Sequence, residues 1–248
     1  MNSVEKEMMI NAYLTILKKK KLHFLGTKIE GLIHNLNTPL NTIVGYAQIL
    51  KYKYPKSKEI EKITKAARKI DDQLKIFHKI LDLYHIKLPC LVNFNNFIED
   101  EINLLQHSLF FKHQVDIELI LEHELPNLKI IYSDFALIWN LILENIQTFF
   151  SNADGIEKKI FIITYSRNGL VYFKMDHYGK EVPSNILSIF QNEKNRKNKI
   201  VQLTNFGTGL PIILKILETY DGDFILNSES NIISSTISIP YGVTNEAR

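Results

Sequence analysis

The chain has 248 residues, a length that suits two domains better than one. Apolar residues make up 45% and charged residues 23%, so extensive disorder is not expected. The net charge of +3 is carried by dispersed Lys and Arg residues, which argues against a nucleic-acid partner. A single cysteine, Cys90, excludes an internal disulfide. Since no apolar run approaches a membrane span of roughly 20 residues, we expect a soluble, cytoplasmic protein without a transmembrane segment.

The first third of the chain has the apolar period of paired helices. Its apolar residues recur at alternating steps of three and four, which is typical of a coiled-coil or bundle interface. Between the two segments lies a polar stretch, residues 54–58, that contains Pro55 and Ser57 and predicts a turn. The sequence therefore predicts an antiparallel helical hairpin within residues 1–87. The periodic residues are Ile29, Ile33, Leu36, Leu40, Ile43, Ala47 and Leu50, then Ile60, Ile63, Ala67, Ile70, Leu74, Phe77, Leu81 and Tyr84.

A single hairpin buries only one apolar stripe, and a second copy of the chain would cover what remains. We therefore expect a dimeric four-helix bundle. The alternative is a bundle formed with the rest of the same chain.

Residues 88–248 have a mixed pattern. We expect helices at residues 96–111, 134–150 and 209–220, and strands at 114–121, 159–165, 170–175, 223–227 and 232–239. Helices and strands in mixed order predict an α/β sandwich in which helices cover one face of a mixed sheet. The fold class we expect is thus a helical hairpin followed by an α/β domain.

One face of the first predicted helix carries polar and small residues: His34, Thr38, Asn41 and Gly45 recur at steps of four, three and four. A histidine that points away from the bundle is accessible to a partner domain. Pro39 interrupts the same helix and costs on the order of 3 kcal/mol in a regular helix. Strain beside an exposed histidine favours a functional role for this face, although a bent helix end would explain the proline equally well.

The segment from Gly31 to Leu50, which contains His34-Asn35-Leu36-Asn37-Thr38-Pro39-Leu40, resembles the H-box of histidine kinases. In that family the histidine receives a phosphoryl group from ATP. The resemblance implies that His34 is the phosphoacceptor and that Asn35 and Thr38 complete the catalytic group. Thr38 stands where the family positions the water that dephosphorylates a partner.

Two later segments are similar to further boxes of the family, in the family's order. Residues 134–145 resemble the N-box helix, whose final asparagine, here Asn145, would hold Mg²⁺ through its amide oxygen. The start of the helix at 209 resembles the G2 box, in which glycines let backbone amides approach phosphate oxygens. Its residues here are Gly207, Thr208, Gly209 and Leu210. Taken alone, Asn145 could be a polar residue of a buried helix, and Gly207–Gly209 a simple turn.

The G1 box, with the family pattern Asp-x-Gly-x-Gly-x-Pro, is the third nucleotide-binding segment. We assign its aspartate to Asp176, which would accept a hydrogen bond from the adenine amino group, and its first glycine to Gly179. On this assignment the loop is one residue longer than the family's. The stretch 191–206 would form a basic lid.

Four departures from the family pattern bear on activity. Asn35 replaces an acidic residue, and an amide is not a base at neutral pH. The G1 loop has one glycine only, Thr148 replaces a lysine that often follows the N-box, and Pro211 replaces a third G2 glycine. These departures predict a weakened kinase.

The resemblance implies a homodimeric histidine kinase that uses ATP and Mg²⁺ and passes the phosphoryl group from His34 to an aspartate of a response regulator receiver domain. A separate sensor protein is one source of input that the sequence leaves open. The alternative is a degenerate kinase that acts as a phosphatase or phosphotransfer scaffold. An ATPase of the gyrase and heat-shock chaperone type is disfavoured, because Leu141 occupies the position of its glutamate base. A non-enzymatic dimeric interaction module remains as a third class.

Overall fold

The computed structural model describes residue 8 and residues 30–152, 155–179, 182–191 and 209–242. The chain divides into two compact units, with a boundary between Lys87 and Leu88. Among the described residues, no helix is both long enough and apolar enough to cross a membrane.

The first unit is a helical hairpin made of α1 (Glu30–Lys53) and α2 (Lys58–His85). Ser57 begins α2 as its N-cap, and its hydroxyl accepts a hydrogen bond from the Ile60 amide at 3.3 Å. The two helices pack through a small buried cluster, which confirms the predicted hairpin. This cluster contains Ile33, Leu40, Ala67, Leu74 and Leu81, with Val44 and Phe77 packed against it.

The periodic residues alternate between buried and exposed along α1 and the first part of α2, whereas Leu81 and Tyr84 near the end of α2 are both buried. On α1, Leu36 is 41% exposed, Ile43 49% and Leu50 41%. On α2, Ile63 and Ile70 are 49% and 47% exposed. These five residues, which we call the second stripe, recur every seven residues on each helix and lie beside the buried cluster rather than within it.

The second unit contains both helices and strands. In chain order they are β1 (Cys90–Val92), α3 (Phe94–Leu105), α4 (Leu109–Gln114), β2 (Asp116–Leu121), β3 (Leu128–Ile130), α5 (Tyr132–Asn152), β4 (Lys159–Arg167), β5 (Leu170–Tyr178), α6 (Ser184–Gln191), α7 (Gly209–Glu218), β6 (Asp223–Glu229) and β7 (Ile232–Pro240). The single helix expected at residues 96–111 is two helices, because the chain turns at residues 106–108 and Ser108 begins α4.

The main sheet has five strands in the order β2-β4-β5-β7-β6. Strand β2 runs parallel to β4, and the other neighbours are antiparallel, so the mixed sheet predicted from the sequence is confirmed. Strands β1 and β3 form a separate antiparallel pair. That pair was not predicted, because three-residue strands are too short to show a period of two.

The core of the second unit lies on one face of the main sheet. Alternate residues of β5, from Val171 to His177, are buried, while the intervening residues are only partly covered. Trp139 of α5 packs on the buried face, with its ring 5.8 Å from that of Phe173 and 6.2 Å from that of Phe97. At the start of α5, the Tyr220 hydroxyl donates to the buried Asp134 carboxylate at 2.8 Å. The packing of Trp139 and the hydrogen bond between Tyr220 and Asp134 together hold α5 over the sheet.

Candidate functional site

A cavity of about 160 Å³ opens beside α5 on the buried face of the main sheet. Three segments that are far apart in the sequence meet there: α5, the end of β5 with the residues that follow it, and the start of α7. Strands β6 and β7 complete the wall, which is mostly apolar. The lining residues are Ile142, Asn145, Ile146, Phe149, His177, Val182, Leu210, Phe224, Leu226, Ile233 and Ser235.

Helix α5 contributes Asn145 to this cavity. The apolar residues of the helix, such as Ile142 and Ile146, are buried against the core, while Asn145 is exposed. Its carboxamide therefore stands at the boundary between an apolar wall and solvent. An amide oxygen in that position is a suitable ligand for a hard cation, with phosphate and water oxygens filling the other positions.

The first residues of α7 lie against α5 at this point. A Cβ added to Gly209 would stand 4.0 Å from Asn145 Nδ2 and 4.0 Å from Leu141 Cδ2. Leu210 lines the cavity, and Pro211 is buried in the first turn, where a missing amide hydrogen is tolerated. The helix N-terminus, with its unpaired amides, thus lies next to the Asn145 side chain. Of the other predicted G2 residues, Gly207 and Thr208 lie outside the described part of the chain, as does most of the predicted lid.

Gly179 follows β5 and is buried beneath α5. A Cβ at this position would come within 2.6 Å of Ile233 Cδ1 and 3.2 Å of Phe149 Cζ, and both of those residues line the cavity. The Gly179 amide donates to the Asn231 carbonyl at 2.8 Å, which links this segment to the turn between β6 and β7. The absence of a side chain at Gly179 lets the backbone pass close beneath the cavity wall.

The structure places His177, rather than Asp176, in the cavity. Successive residues of a strand point to opposite faces of the sheet, and Asp176 points to the face opposite α5. There its carboxylate pairs with Lys174 at 2.5 Å. Counting back six residues from Pro183, as the family pattern Asp-x-Gly-x-Gly-x-Pro requires, also leads to His177. The loop therefore needs no additional residue, and a histidine occupies the position that the pattern assigns to an aspartate.

The imidazole of His177 is 5% exposed and packs between aromatic rings. Its centroid is 5.7 Å from that of Phe149 and 5.6 Å from that of Phe150. Nδ1 is 3.0 Å from the Tyr178 carbonyl oxygen. Burial lowers the pKa of His177, an effect that this hydrogen bond and the negative charge of Asp176 oppose.

The hairpin carries the remaining predicted residues on α1. Asn35 and Thr38 are exposed, and the Thr38 carbonyl accepts a hydrogen bond from the Thr42 hydroxyl at 3.1 Å. Pro39 lies inside the helix. His34 belongs to α1, but its side chain lies outside the described part of the structure.

Sequence reasoning missed His177 and Ser235 as candidate site residues. Both could have been found from alternation, since the apolar residues at 171, 173 and 175 place His177 on the buried face. In the same way Ile233, Ile237 and Ile239 place Ser235 there. Asp176 was assigned by its resemblance to the aspartate of the G1 box, a criterion that does not depend on which face of the strand it occupies.

Comparison with known proteins gave matches among solved structures alone, since no family model and no curated protein matches the chain. The catalytic domain of histidine kinase ThkA is 16% identical, with a TM-score of 0.47, over 61% of this chain and 95% of that one. The Acinetobacter baumannii histidine kinase AdeS is 13% identical, with a TM-score of 0.47, over 84% and 98%. Full-length ShkA, in complex with AMPPNP, is 17% identical, with a TM-score of 0.46, over 87% and 46%.

Proposed function

We propose that the chain is a histidine kinase that transfers the γ-phosphoryl group of ATP to His34 and then to an aspartate of a response regulator. The observation that supports this most is the meeting of three predicted nucleotide-binding segments at one cavity. Asn145, Gly179 and the pair Gly209–Leu210 are separated by dozens of residues in the sequence, yet all lie at or beside its wall. A chance resemblance in three short segments would not be expected to bring them together.

The nucleotide would bind with its base in the apolar part of the cavity and its phosphates near the N-terminus of α7. Unpaired amides and the helix dipole favour negative charge there. Asn145 would hold Mg²⁺ beside the phosphates, and the ion would offset their charge. The glycine at position 209 leaves open the space between α7 and the Asn145 side chain.

In the transfer step a neutral nitrogen of His34 would attack the γ-phosphorus while the bond to the leaving oxygen of ADP breaks. The products are ADP and a phosphohistidine, from which the phosphoryl group passes to a carboxylate oxygen of the regulator. Asn35 cannot remove a proton at neutral pH, so we expect autophosphorylation to be slow. The exposed Thr38, one helical turn away from His34, would position a water molecule that hydrolyses the aspartyl phosphate of the regulator and releases inorganic phosphate.

The second stripe favours a homodimer. Five large apolar residues are between 41% and 49% exposed and follow a seven-residue spacing. Such a row next to a packed hairpin is typical of a four-helix bundle that is completed by a second copy. The same geometry would bring together two copies of α1, on each of which Asn35 and Thr38 are exposed on the single hairpin.

Incubation with γ-labelled Mg-ATP tests the proposal. We expect acid-labile, alkali-stable label on the intact chain and none on His34→Ala. The matched control is His78→Ala, which removes another histidine of the hairpin, with a side chain 60% exposed, and should leave the label unchanged.

Absence of label on the intact chain would contradict the kinase proposal. The alternative, a phosphatase or phosphotransfer scaffold, is favoured by Asn35 and predicts a different result. In that case the intact chain would speed the loss of label from a phosphorylated receiver domain, and Thr38→Ala would not.

A further inference from the structure

A second cavity, of about 310 Å³, lies at the opposite end of α7 from the first cavity. Leu210 near the start of α7 lines the first cavity, whereas residues 219–221, just after the helix ends, line the second. The two cavities share no lining residue. The second cavity is formed within the α/β unit by the β1–β3 pair, the turn between α7 and β6, and the end of β7. Its volume falls in the range of about 300–1,000 Å³ that is usual for small-molecule sites.

Hydrogen bonds hold the walls of the second cavity in place. Tyr220, whose ring lines the cavity, donates its hydroxyl hydrogen to Asp134 at 2.8 Å and accepts from the Ile131 amide at 3.2 Å. On the side of β7, the Tyr241 amide donates to the Gly169 carbonyl at 3.1 Å. These bonds fix the cavity walls independently of any ligand, so binding requires little further ordering of the protein.

The turn after α7 supplies a negative charge to this cavity. Asp221 lines the cavity and is exposed, and within the described part of the chain no salt bridge neutralises its carboxylate. The turn also follows the C-terminal end of α7, where the final carbonyl groups of a helix carry partial negative charge. Both features favour an ammonium group beside Asp221.

The β1–β3 pair supplies a positive charge. Lys129 of β3 stands opposite Leu91 of β1. Leu128 and Ile130, on either side of Lys129, are fully buried, so Lys129 and Leu91 share the outer face, which lines the cavity. Lys129 forms no salt bridge with any residue that the structure describes. Its ammonium group is therefore available to a carboxylate.

Much of the remaining wall is apolar. It includes Leu91, which is 73% exposed, together with Pro89, Ile239 and Pro240. Covering this surface attracts any apolar group without regard to its orientation. The selection between ligands comes from the charges, since a positive and a negative side chain, each without a salt bridge, line the same cavity.

We propose that the second cavity binds a small zwitterion with an apolar body, of the class of the apolar α-amino acids. The carboxylate of the ligand pairs with Lys129 and its ammonium group with Asp221, while its side chain packs on the apolar wall that includes Leu91. A ligand of the same size that has only one charge leaves one of the two protein charges without a partner. The inference does not depend on kinase activity, because it concerns a different cavity from the one proposed for ATP.

The test compares L-phenylalanine with two analogues that each lack one charged group. 3-Phenylpropionate has no ammonium group, and phenethylamine has no carboxylate. Each is titrated into the full chain at pH 7, and binding is followed by saturation-transfer difference NMR. We expect L-phenylalanine to bind with a Kd of about 1 mM or tighter. Each analogue should bind about 3- to 10-fold more weakly, a moderate factor because Lys129 and Asp221 are exposed and water screens their charges.

Two variants assign each charged group of the ligand to a residue. Asp221→Asn removes the negative charge and suits the backbone, because φ at Asp221 is 49° and asparagine tolerates this left-handed region. In this variant L-phenylalanine and 3-phenylpropionate should bind equally. Lys129→Met removes the positive charge, so L-phenylalanine and phenethylamine should bind equally. The matched control is Lys112→Met, which removes an exposed positive charge on α4 and should change none of the three affinities.

Two results would overturn the inference. The first is that the intact chain binds none of the three probes or binds all three equally. The second is that both variants keep the full preference for L-phenylalanine, since the probe would then bind elsewhere. Circular dichroism checks that each variant folds. If one does not fold, the comparison of the three probes on the intact chain and on the other variant still decides. None of these results bears on the labelling of His34, so the two proposals stand or fall separately.

Discussion

The helical hairpin and the α/β unit bury their large apolar residues to different extents. In the α/β unit Trp139, Phe97 and Phe173 are each at most 2% exposed, in a core that the unit closes by itself. In the hairpin, Ile33 and Leu40 are buried, but Leu36, Ile43 and Leu50 on the same helix are more than 40% exposed. The α/β unit is thus complete as one chain, whereas the hairpin has an apolar surface that a partner would cover.

The largest effect that we expect comes from charging the second stripe. In the proposed dimer, Ile43→Glu combined with Ile70→Glu would bury unpaired carboxylates, each at a cost of about 3–5 kcal/mol. The intact chain should elute as a dimer, and the double variant as a monomer, in size-exclusion chromatography with light scattering.

Tyr52→Glu is the matched control for the dimer. Tyr52 is on the same helix and 91% exposed, but it lies outside the stripe, so the charge stays in solvent and the dimer should persist. An intact chain that is monomeric at micromolar concentration would refute the dimer. The exposed apolar residues of the hairpin would then not form a dimer interface.

The second prediction concerns the core of the α/β unit. Trp139→Ala removes a ring that contacts Phe97 and Phe173, and should lower the free energy of unfolding of this unit by about 3–5 kcal/mol. Urea denaturation followed by circular dichroism measures the change. Because the unit is closed by itself, the loss should not depend on protein concentration, whereas the stability of the hairpin should.

The helices of the hairpin could be predicted from the sequence. The steps of three and four in the first third predicted both helices of the hairpin, and the turn at residues 54–58 separates them as expected. The same steps could not show which residues are buried within a single hairpin and which stay exposed. Ile33 and Leu36 belong to one periodic pattern, yet only Ile33 is buried. Only the packing of α1 on α2 separates the buried members from the exposed ones.

The structure brings most of the described candidate residues of the α/β unit to one cavity, with Asp176 as the exception. Asn145, Gly179, Gly209 and Leu210 were predicted, and the structure brings them together around one cavity. Asp176 was assigned by its resemblance to the G1-box aspartate, but a strand exposes neighbouring residues on opposite faces. The neighbouring residue, His177, is therefore the one that faces the cavity, as the burial of alternate residues along β5 shows.

A pair of glycine substitutions provides the third prediction, with opposite signs in the two units. Gly45 lies inside α1, and an added Cβ would have no atom within 4 Å of it. Gly45→Ala should therefore stabilise the hairpin by about 1 kcal/mol, since alanine is the better helix former. At Gly222 the added Cβ would stand 2.8 Å from the Ser238 carbonyl oxygen. Gly222→Ala should destabilise the α/β unit by about 1–3 kcal/mol.

Thermal denaturation of both glycine variants, each compared with the intact chain, checks the signs. The two changes add the same methyl group, so they serve as controls for one another. Stabilisation by Gly222→Ala would mean that β7 and the turn before β6 move apart at little cost in free energy, which would contradict a closed core.

The smallest effect that we expect is a dependence of stability on pH that is confined to the α/β unit. Burial lowers the pKa of His177 in the folded protein, and the Tyr178 carbonyl and the Asp176 charge offset part of that shift. Below the ordinary histidine pKa of about 6.5, the unfolded chain binds a proton that the folded chain does not yet bind. The contribution of His177 to the free energy of unfolding is therefore fully present above about pH 6.5 and is lost as the pH falls through the lowered pKa of the folded state.

Urea denaturation between pH 8 and pH 5 should show this decline in the free energy of unfolding for the intact chain and a shallower one for His177→Phe. His78→Ala removes a solvent-exposed histidine of the hairpin and should leave the decline unchanged. An equal decline in His177→Phe would show that other groups cause it, since the phenylalanine ring has no proton to gain.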